Sequence, residues 1–295
     1  MTIDQKNQFA FFSANLHQYI PDLPWAAHHK YFRQYHHYHQ PKAIPVNSKS
    51  KVNGYCPNEP GILATFHLGN HTQLPVALVD AGFLFDILID QPTYDRYRKP
   101  LELANRRLVA KGNDPIRFLL SEDRNLFFKI RESIRRGRHM LIFADGNGGQ
   151  DNNDLKKDLL PIPFFSGILW VKKGIPVLSR LLKIPTYPLL STIEDHDQIL
   201  EFCEPIFTDS RLNRLSDAER VLNHLYRLLF LRIAHDPMQW ECWLYLHRNG
   251  MLKIEDQAIN LPEKPDLYAE YIDTVRIGRQ VFLFDKKKYY LFRSV

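Results

Sequence analysis

The stretch that decides the fold is Gly61-Ile-Leu-Ala-Thr-Phe-His67-Leu-Gly-Asn70-His71-Thr72. Its apolar, β-forming residues predict a strand over 62–67 that ends at His67, and the Gly-Asn pair after it predicts a tight turn. The apolar residues that follow predict a helix over 72–80. In α/β proteins the chemistry is concentrated where a strand ends and a helix begins. His67 is therefore a candidate general base, because the ordinary pKa of a histidine lies near neutral pH.

Strands and helices alternate along most of the remaining chain. Strands are predicted over 83–90, 139–144, 175–182 and 198–207. Helices are predicted over 97–110, between Ser121 and Gly137, over 165–173, and from a capping box at Ser216-x-x-Glu219 onward. Alternation of this kind indicates an α/β fold with a mostly parallel central sheet flanked by helices.

The two ends of the chain differ from this middle part. The sequence predicts an N-terminal helical segment over 1–50, the α/β domain over 51–250, and a C-terminal extension over 251–295 that contains a β-hairpin with a charged turn. Residues 25–39 are rich in aromatic and histidine side chains at helical spacing. Three interpretations stay open: a helix that docks at a membrane interface or covers the substrate mouth, a metal site of histidines, and a helix that packs its aromatic side chains on the main domain.

Composition narrows the class of protein. The chain has 295 residues, 44% of them hydrophobic and 24% charged, which is typical of a globular protein of one or two domains. No apolar stretch is long enough for a transmembrane helix, no signal peptide is apparent, and the three cysteines have no paired spacing; together these features predict a cytoplasmic protein with free thiols.

The net charge of +6 suits an acidic partner, such as a carrier protein, a phosphate group or the anionic inner face of a membrane, where the protein would be peripheral. The basic residues are scattered and no nucleic-acid-binding motif occurs, so nucleic acid is not an expected partner. One local cluster, Arg131, Arg135, Arg136 and Arg138, indicates either a docking surface for an acidic protein or a solvated helix face.

Further motifs extend the pattern beyond His67. They are Tyr94-Asp95 followed by Arg106-Arg107, the strand His139-Met-Leu-Ile-Phe-Ala-Asp145, the stretch Pro161-Ile-Pro-Phe164-Phe165-Ser-Gly167, and the run from Asp236-Pro237 through Trp240 and Trp243 to His247-Arg248. In this order, over about 61–250, they resemble motifs of the lysophospholipid acyltransferase superfamily, most closely its lipid A biosynthesis branch of lauroyl- and myristoyl-type acyltransferases. That family has His-x4-Asp/Glu at the strand end, and here Thr72 stands at the acidic position.

The resemblance implies a glycerolipid acyltransferase-like fold and the transfer of a fatty or related acyl group from an acyl carrier protein or coenzyme A thioester to a hydroxyl or amine. It implies that His67 is the base. Thr72 would be a weaker orienting contact, and Asp145, or next Asp90, would supply the missing carboxylate. The residues expected at the substrate are Asn70, His71, Arg106, Arg107 and Phe164. No metal and no cofactor are implied, because the thioester is a substrate.

Thr72 also supports a second hypothesis. The same fold, having lost catalysis, would bind an acyl carrier protein, an acyl chain or a membrane surface. A third hypothesis, an α/β-hydrolase, is disfavoured because the sequence has no Gly-x-Ser-x-Gly elbow.

Overall fold

The computed structural model describes residues 3–40, 50–146, 159–194, 197–248, 252–255 and 270–293, and the chain divides into two compact units. The sheet unit comprises Pro41–Gly148 and Lys172–Arg232, and the terminal unit comprises Met1–Gln40, Gly149–Val171 and Ile233–Val295. Each unit thus combines stretches that are far apart in the sequence, whereas the sequence predicts three consecutive ranges.

The described residues form strands and helices that are numbered in chain order. The strands are β1 Ser50–Gly54, β2 Ile62–Thr65, β3 Phe85–Ile89, β4 Phe118–Leu120, β5 His139–Phe143, β6 Leu159–Phe164, β7 Gly167–Lys172, β8 Thr186–Glu194, β9 Asp197–Phe202, β10 Lys253–Glu255, β11 Ile272–Ile277, β12 Gln280–Asp285 and β13 Tyr290–Arg293. The α-helices are α1 Ile3–Tyr19, α2 Trp25–Tyr38, α3 Leu74–Asp80, α4 Gln91–Ala110, α5 Leu126–Arg135, α6 Gly174–Leu182 and α7 Arg214–Ile233. Short 3₁₀ turns cover His71–Gln73, Pro237–Gln239, Glu241–Leu244 and Leu246–Arg248.

The sheet unit is built on one large sheet in the order β1-β9-β8-β2-β5-β3-β4. Neighbouring strands are parallel except for the antiparallel pair β8 and β9. The predicted α/β class with a mostly parallel sheet is therefore confirmed. Strands β2 and β5 are fully or almost fully buried, and their apolar runs are what a parallel sheet covered on both faces requires.

Helices α3 and α4 cover one region of this sheet. All residues of α3 except the last are buried, and α4 buries Leu101, Ala104 and Leu108, which lie on one face of the helix. Helix α4 begins six residues before the predicted start, because Asp90 caps it by accepting a hydrogen bond of 2.8 Å from the backbone N–H of Thr93. A kink at Tyr97, three residues before Pro100, separates this added first part from the rest.

Two neighbouring elements are the reverse of the prediction. The predicted helix over 165–173 is the strand β7, and the predicted strand over 175–182 is the helix α6. In β7 the side chains of Leu169 and Val171 are buried and their neighbours are more exposed, which is the two-residue period of a strand. In α6, Pro176 lies in the first turn, where a helix tolerates proline because the N–H groups there have no intrahelical partner.

The predicted capping box at Ser216 is also wrong. Helix α7 begins at Arg214, and Asn213 caps it by accepting hydrogen bonds of 3.0 and 2.9 Å from the backbone N–H groups of Leu215 and Ser216. An asparagine caps a helix as well as a serine does, so the cap and the start of the helix lie three residues earlier than predicted.

The terminal unit combines α1 and α2 with the hairpin of β6 and β7 and a second sheet in the order β10-β13-β12-β11. Strands β12 and β13 are antiparallel, which confirms the predicted C-terminal hairpin, and β11 adds a third antiparallel strand. The apolar side of α1, with Ala10, Phe11 and Ala14, packs on this sheet in one buried cluster.

Among the three interpretations of residues 25–39, the structure supports packing. Phe32 and Tyr35 are buried in α2, and the Tyr35 hydroxyl donates a hydrogen bond of 2.7 Å to the carbonyl of Glu241. His29 stacks on Phe9 of α1 at a ring-centroid distance of 3.8 Å. No group of three potential metal ligands occurs among the histidines of α2 within the described ranges.

In the portion of the chain that the structure describes, every helix falls short of the length or the apolar character needed to cross a bilayer.

Candidate active site

The candidate site is centred on a hydrogen-bonded pair formed by His67 and Asp145. Oδ1 of Asp145 lies 2.8 Å from Nδ1 of His67, and Oδ2 accepts a hydrogen bond of 2.9 Å from the backbone N–H of the same histidine. One carboxylate therefore holds both the ring and the main chain of His67.

The register of the sheet explains why these two residues meet. Strands β2 and β5 are parallel neighbours in which Thr65 lies opposite Phe143, and His67 and Asp145 each follow two residues later. The backbone N–H of Ala144 still donates 2.7 Å to the carbonyl of Thr65, so the two chains stay paired up to the site. Both side chains thus emerge at the carboxyl end of the sheet, where α/β proteins bind their ligands.

The burial of the two side chains and their hydrogen bond indicate which nitrogen of His67 is basic. The side chain of Asp145 is 2% exposed and that of His67 is 20% exposed. An ionised carboxylate only accepts hydrogen bonds, so the contact assigns the proton to Nδ1 of the neutral imidazole and leaves the lone pair on Nε2. Nε2 is then the basic nitrogen, and the partly exposed ring can present it to a ligand.

The structure corrects the expectation that Thr72 orients His67. The hydroxyl of Thr72 donates 3.0 Å to Oδ1 of Asn70, at the start of the 3₁₀ turn, rather than forming a hydrogen bond with the imidazole. Asp145 provides the contact to His67, and Asp90, the second carboxylate that the sequence offers, is occupied with capping α4.

Asn70 lies in the turn that follows His67. Its Oδ1 accepts from Thr72, its carbonyl accepts 3.4 Å from Gln198, and its Nδ2 is buried without a hydrogen-bond partner among the described residues. An oriented amide N–H is a donor of the type that stabilises an oxyanion. The role of Asn70 at the substrate stays a prediction.

Gly69 allows this turn to lie close to the sheet. Its φ is +60°, and a Cβ atom there would lie 2.9 Å from the carbonyl oxygen of Ser191 in β8. Only glycine fits a left-handed conformation with so close a neighbour. The Gly-Asn pair that predicts a tight turn in the sequence is thus explained by sterics.

Aromatic rings line the site beside the pair. His71 is buried and its ring centroid lies 4.9 Å from that of His67 in an edge-on arrangement, while Phe143 lies 4.5 Å from His67. Tyr97, at the kink of α4, lies 6.0 Å from His71. The role of His71 at the substrate stays a prediction. Phe143 and Tyr97 were missed in the sequence, although the β2–β5 register brings Phe143 next to His67.

The two arginines of α4 differ in their surroundings. Arg107 forms an ion pair with Asp80 at the end of α3, so its guanidinium is engaged in the fold. Arg106 is exposed and lines an open groove of about 420 Å³ together with Gln73, Lys99, Pro100, Glu102 and Leu103. The groove therefore distinguishes the arginines where the sequence could not, and favours Arg106 as the substrate-binding one.

Two further expectations concern residues outside this cluster. Phe164 lies in the terminal unit, where it is buried and packs edge-on against Trp240 at 5.2 Å and Tyr19 at 6.1 Å. Arg138, expected on a basic surface, is buried and donates 2.9 Å from Nε to Asp86, so the predicted docking cluster loses one member.

One supporting residue was not anticipated. The buried hydroxyl of Tyr226 in α7 donates 2.9 Å to the carbonyl of Ala144, the residue before Asp145. Its ring also packs edge-on against Phe66 at 5.3 Å, so one side chain contacts the residue that precedes each member of the pair. Nothing in the sequence links Tyr226 to the site, because no motif or strand register relates α7 to the end of β5.

Comparison with known proteins finds no match for this chain, either among protein-family models or among curated proteins.

Proposed function

We propose that this protein is an acyltransferase that moves a fatty or related acyl group from an acyl carrier protein or coenzyme A thioester to a hydroxyl or amine acceptor. The observation that carries the proposal is the 2.8 Å contact between His67 and buried Asp145 at the ends of adjacent parallel strands. The reaction class comes from the ordered motifs that resemble lysophospholipid acyltransferases. A histidine oriented by a carboxylate is what direct acyl transfer to a weak nucleophile requires.

In the proposed reaction, Nε2 of His67 takes the proton from the acceptor hydroxyl or amine as its oxygen or nitrogen attacks the thioester carbonyl carbon. The carbonyl oxygen becomes an oxyanion in the tetrahedral intermediate, and Asn70 is the proposed donor to it. When the carbon–sulfur bond breaks, the thiolate leaves and receives the proton from the imidazolium. The enzyme ends in its starting protonation state, and no covalent enzyme intermediate is needed.

Asp145 acts in this scheme by stabilising the imidazolium and by keeping the proton of the neutral ring on Nδ1. In a comparable hydrogen-bonded triad, replacing the aspartate by asparagine lowers the rate by about four orders of magnitude. The carboxylate on the neighbouring strand supports catalysis over the alternative, a binding protein that has lost its acid. The alternative rests on Thr72 alone.

Lys99 and Arg106 are the proposed contacts of the thioester carrier. Both line the groove along α4, and a phosphate of phosphopantetheine or coenzyme A is an anion that an arginine fork and a lysine ammonium bind. We place the activity in the cytoplasm.

The experiment measures thioester consumption and product formation by mass spectrometry. The full chain is incubated with acyl thioesters of carrier protein and of coenzyme A, with cell extract as the acceptor source. We expect turnover by the wild type, no turnover by His67→Ala, and a rate lower by about 10²–10⁴ for Asp145→Asn. His224→Ala, which removes an exposed histidine of α7, is the matched control and should retain the full rate.

Thr72→Val separates the two possible partners of His67. Because the Thr72 hydroxyl donates its hydrogen bond to Asn70 and not to the imidazole, this variant should keep most of the activity. Equal thioester consumption by the wild type and His67→Ala would remove His67 as the base. Thioester binding without any turnover by the wild type would favour the non-catalytic binder.

A further inference from the structure

Helix α6 exposes apolar side chains where a surface helix usually exposes polar ones. Its buried face carries Ile175, Pro176 and Ser179. Its outward face carries Val177 and Leu181, one turn apart and both exposed, with the half-buried Leu178 beside them. The helix therefore has an apolar stripe on the side that faces away from the sheet.

A loop beside α6 continues this apolar stripe. The guanidinium of Arg180 donates 3.2 Å to the carbonyl of Asp209 and 3.0 Å to that of Leu212, which fixes the loop between β9 and α7 along the helix. Phe207 and Leu215 flank these two residues in the sequence and are 58% and 54% exposed, and Leu181 of α6 is 57% exposed. The α6 surface is defined here as Val177, Leu178, Leu181, Phe207 and Leu215.

Cations surround the α6 surface. The stretch 172–183 contains four basic residues and no acidic one. Lys183 directly follows α6 and Arg214 begins α7; both are exposed, and neither forms an ion pair with any residue that the structure describes. Among the acids of this region, Asp209 pairs with Arg211 and buried Asp217 pairs with Arg180 and Arg220, whereas Glu204 and Glu219 form no ion pair with any residue that the structure describes.

We propose that the α6 surface docks the protein on an anionic phospholipid bilayer. Apolar side chains bounded by lysine and arginine are the pattern with which interfacial helices insert into the headgroup region. The apolar residues would enter the acyl boundary, while Lys183 and Arg214 would stay at the level of the phosphates. Each such cation strengthens binding to an anionic leaflet.

Charge argues against a second copy of this chain as the occupant. A two-fold contact would place the same patch on both sides, so the two sets of cations would face each other. An acidic protein would satisfy the cations, but the stripe is a convex helix face bordered by a loop rather than a groove that could receive a partner helix. A flat anionic bilayer satisfies both the charge and the shape.

The test is co-sedimentation of the full chain with vesicles of phosphatidylglycerol and phosphatidylcholine in equal parts, and with vesicles of phosphatidylcholine alone. We expect binding to the anionic vesicles and much weaker binding to the neutral ones. Leu181→Gln/Phe207→Gln should weaken binding about tenfold or more, because each change removes an apolar side chain from the lipid. Lys183→Gln/Arg214→Gln should weaken it about tenfold at low salt and less at high salt.

A matched control double variant is Phe128→Gln/Leu231→Gln. It removes one phenylalanine and one leucine that are 65% and 58% exposed in the same unit but lie in α5 and at the far end of α7. It should bind vesicles as the wild type does.

Equal binding by the two apolar double variants would overturn the proposal, as would the absence of wild-type binding to anionic vesicles. Two other results would also overturn the proposal, if the wild type does not bind vesicles. They are self-association, or binding to a soluble acidic carrier protein, that is lost in Leu181→Gln/Phe207→Gln. None of these outcomes depends on turnover, so failure of the proposed enzymatic function would be seen separately.

Discussion

At the scale of single residues, Asp145 shows how a carboxylate can be supplied from a neighbouring strand. In the family that the sequence resembles, the acid lies five positions after the histidine in the same segment. Here that position is Thr72, and the acid stands 78 residues away in sequence. The chemistry requires a carboxylate oxygen within hydrogen-bond distance of Nδ1 of His67. A residue at the end of the adjacent parallel strand can meet this requirement as well as a residue in the turn that follows the histidine. The contact to the backbone N–H additionally fixes the start of the turn.

The turn itself leads to a prediction about stability. Gly69→Ala should destabilise the protein by about 2–4 kcal/mol, because the new Cβ would meet the Ser191 carbonyl at 2.9 Å in addition to the cost of a left-handed alanine. The measurement is the free energy of unfolding in urea. Gly82→Ala is the matched control, since its φ is +88° and a Cβ there has no atom within 4 Å.

The difference between the two variants separates the steric contact at Gly69 from the strain of placing an alanine in the left-handed region. Gly82→Ala should cost only the strain of the left-handed region, about 1–2 kcal/mol. Equal losses for the two variants would mean that the turn after His67 moves away from β8 at little cost.

At the scale of secondary-structure elements, one buried carboxylate connects three strands and a helix. Asp86 of β3 is fully buried and accepts hydrogen bonds from the guanidinium groups of Arg117 and Arg138, which precede β4 and β5, and from the hydroxyl of Ser133 in α5. The arginine Nε distances are 2.8 and 2.9 Å, and the hydroxyl distance is 2.6 Å. This network holds the edge of the sheet on which β3 and β4 lie.

Asp86→Asn should therefore lower the free energy of unfolding by about 3–5 kcal/mol, because it leaves buried guanidinium charge without its counterion. Asp80→Asn is the matched control. It breaks the partly exposed pair with Arg107, which we expect to cost about 0–1 kcal/mol. The two values come from the same urea titration, and a loss below about 1 kcal/mol for Asp86→Asn would show that water reaches the network.

Element type could be predicted from the sequence where composition and flanking residues favoured one element, and not where an apolar run fitted both a buried strand and a helix. The run 139–144 predicts β5 to within one residue, because it is apolar, bounded by Gly137 and rich in β-forming residues. The run 175–182 is as apolar as a buried strand, and its helical period becomes visible only once Ile175, Pro176 and Ser179 are known to be the buried members. Short apolar runs do not distinguish a buried strand from a helix by periodicity.

The residues of the candidate site likewise include some that could be predicted from the sequence and some that could not. His67 and Asp145 could be predicted because both follow apolar runs that become adjacent parallel strands, and their register brings them together. Tyr226, Tyr97 and Gln198 could not, because their approach to the site depends on how helices and the second half of the sheet pack. The sequence has no motif or strand register that relates these residues to the site.

At the scale of the whole molecule, each unit contains a buried histidine that resists protonation. Burial lowers the pKa of His28 in the terminal unit and of His139 in the sheet unit from 6.5 to about 4. Between those two values the unfolded chain binds more protons than the folded one. Stability contributed by the neutral histidines is therefore present above about pH 6.5 and is lost as the pH falls towards 4.

The thermal unfolding midpoint should accordingly fall as the pH is lowered from about 7 to 4.5. His139→Gln keeps an acceptor for the N–H of Gly61, which lies 3.3 Å from Nδ1, but cannot titrate. The midpoint of this variant should fall less steeply with pH than that of the wild type. The difference corresponds to a free energy of unfolding on the order of 2 kcal/mol at the acid end of the range. His224→Gln, at an exposed position, should leave the pH dependence unchanged. The same slope in all three proteins would contradict the role of His139.

The terminal unit also sets the order in which the chain can fold as it is synthesised. Asn7 of α1 exchanges hydrogen bonds of 2.8 and 3.1 Å with the backbone of Arg276 in β11, a separation of 269 residues. At about 5–20 residues per second, a ribosome needs roughly 13 s or more to make that stretch. During this interval Phe11 has no C-terminal sheet to pack on, whereas the strands of the sheet unit are completed earlier. The face of α1 that packs on the C-terminal sheet is thus buried only after β11 and β12 have been made, long after α1 itself.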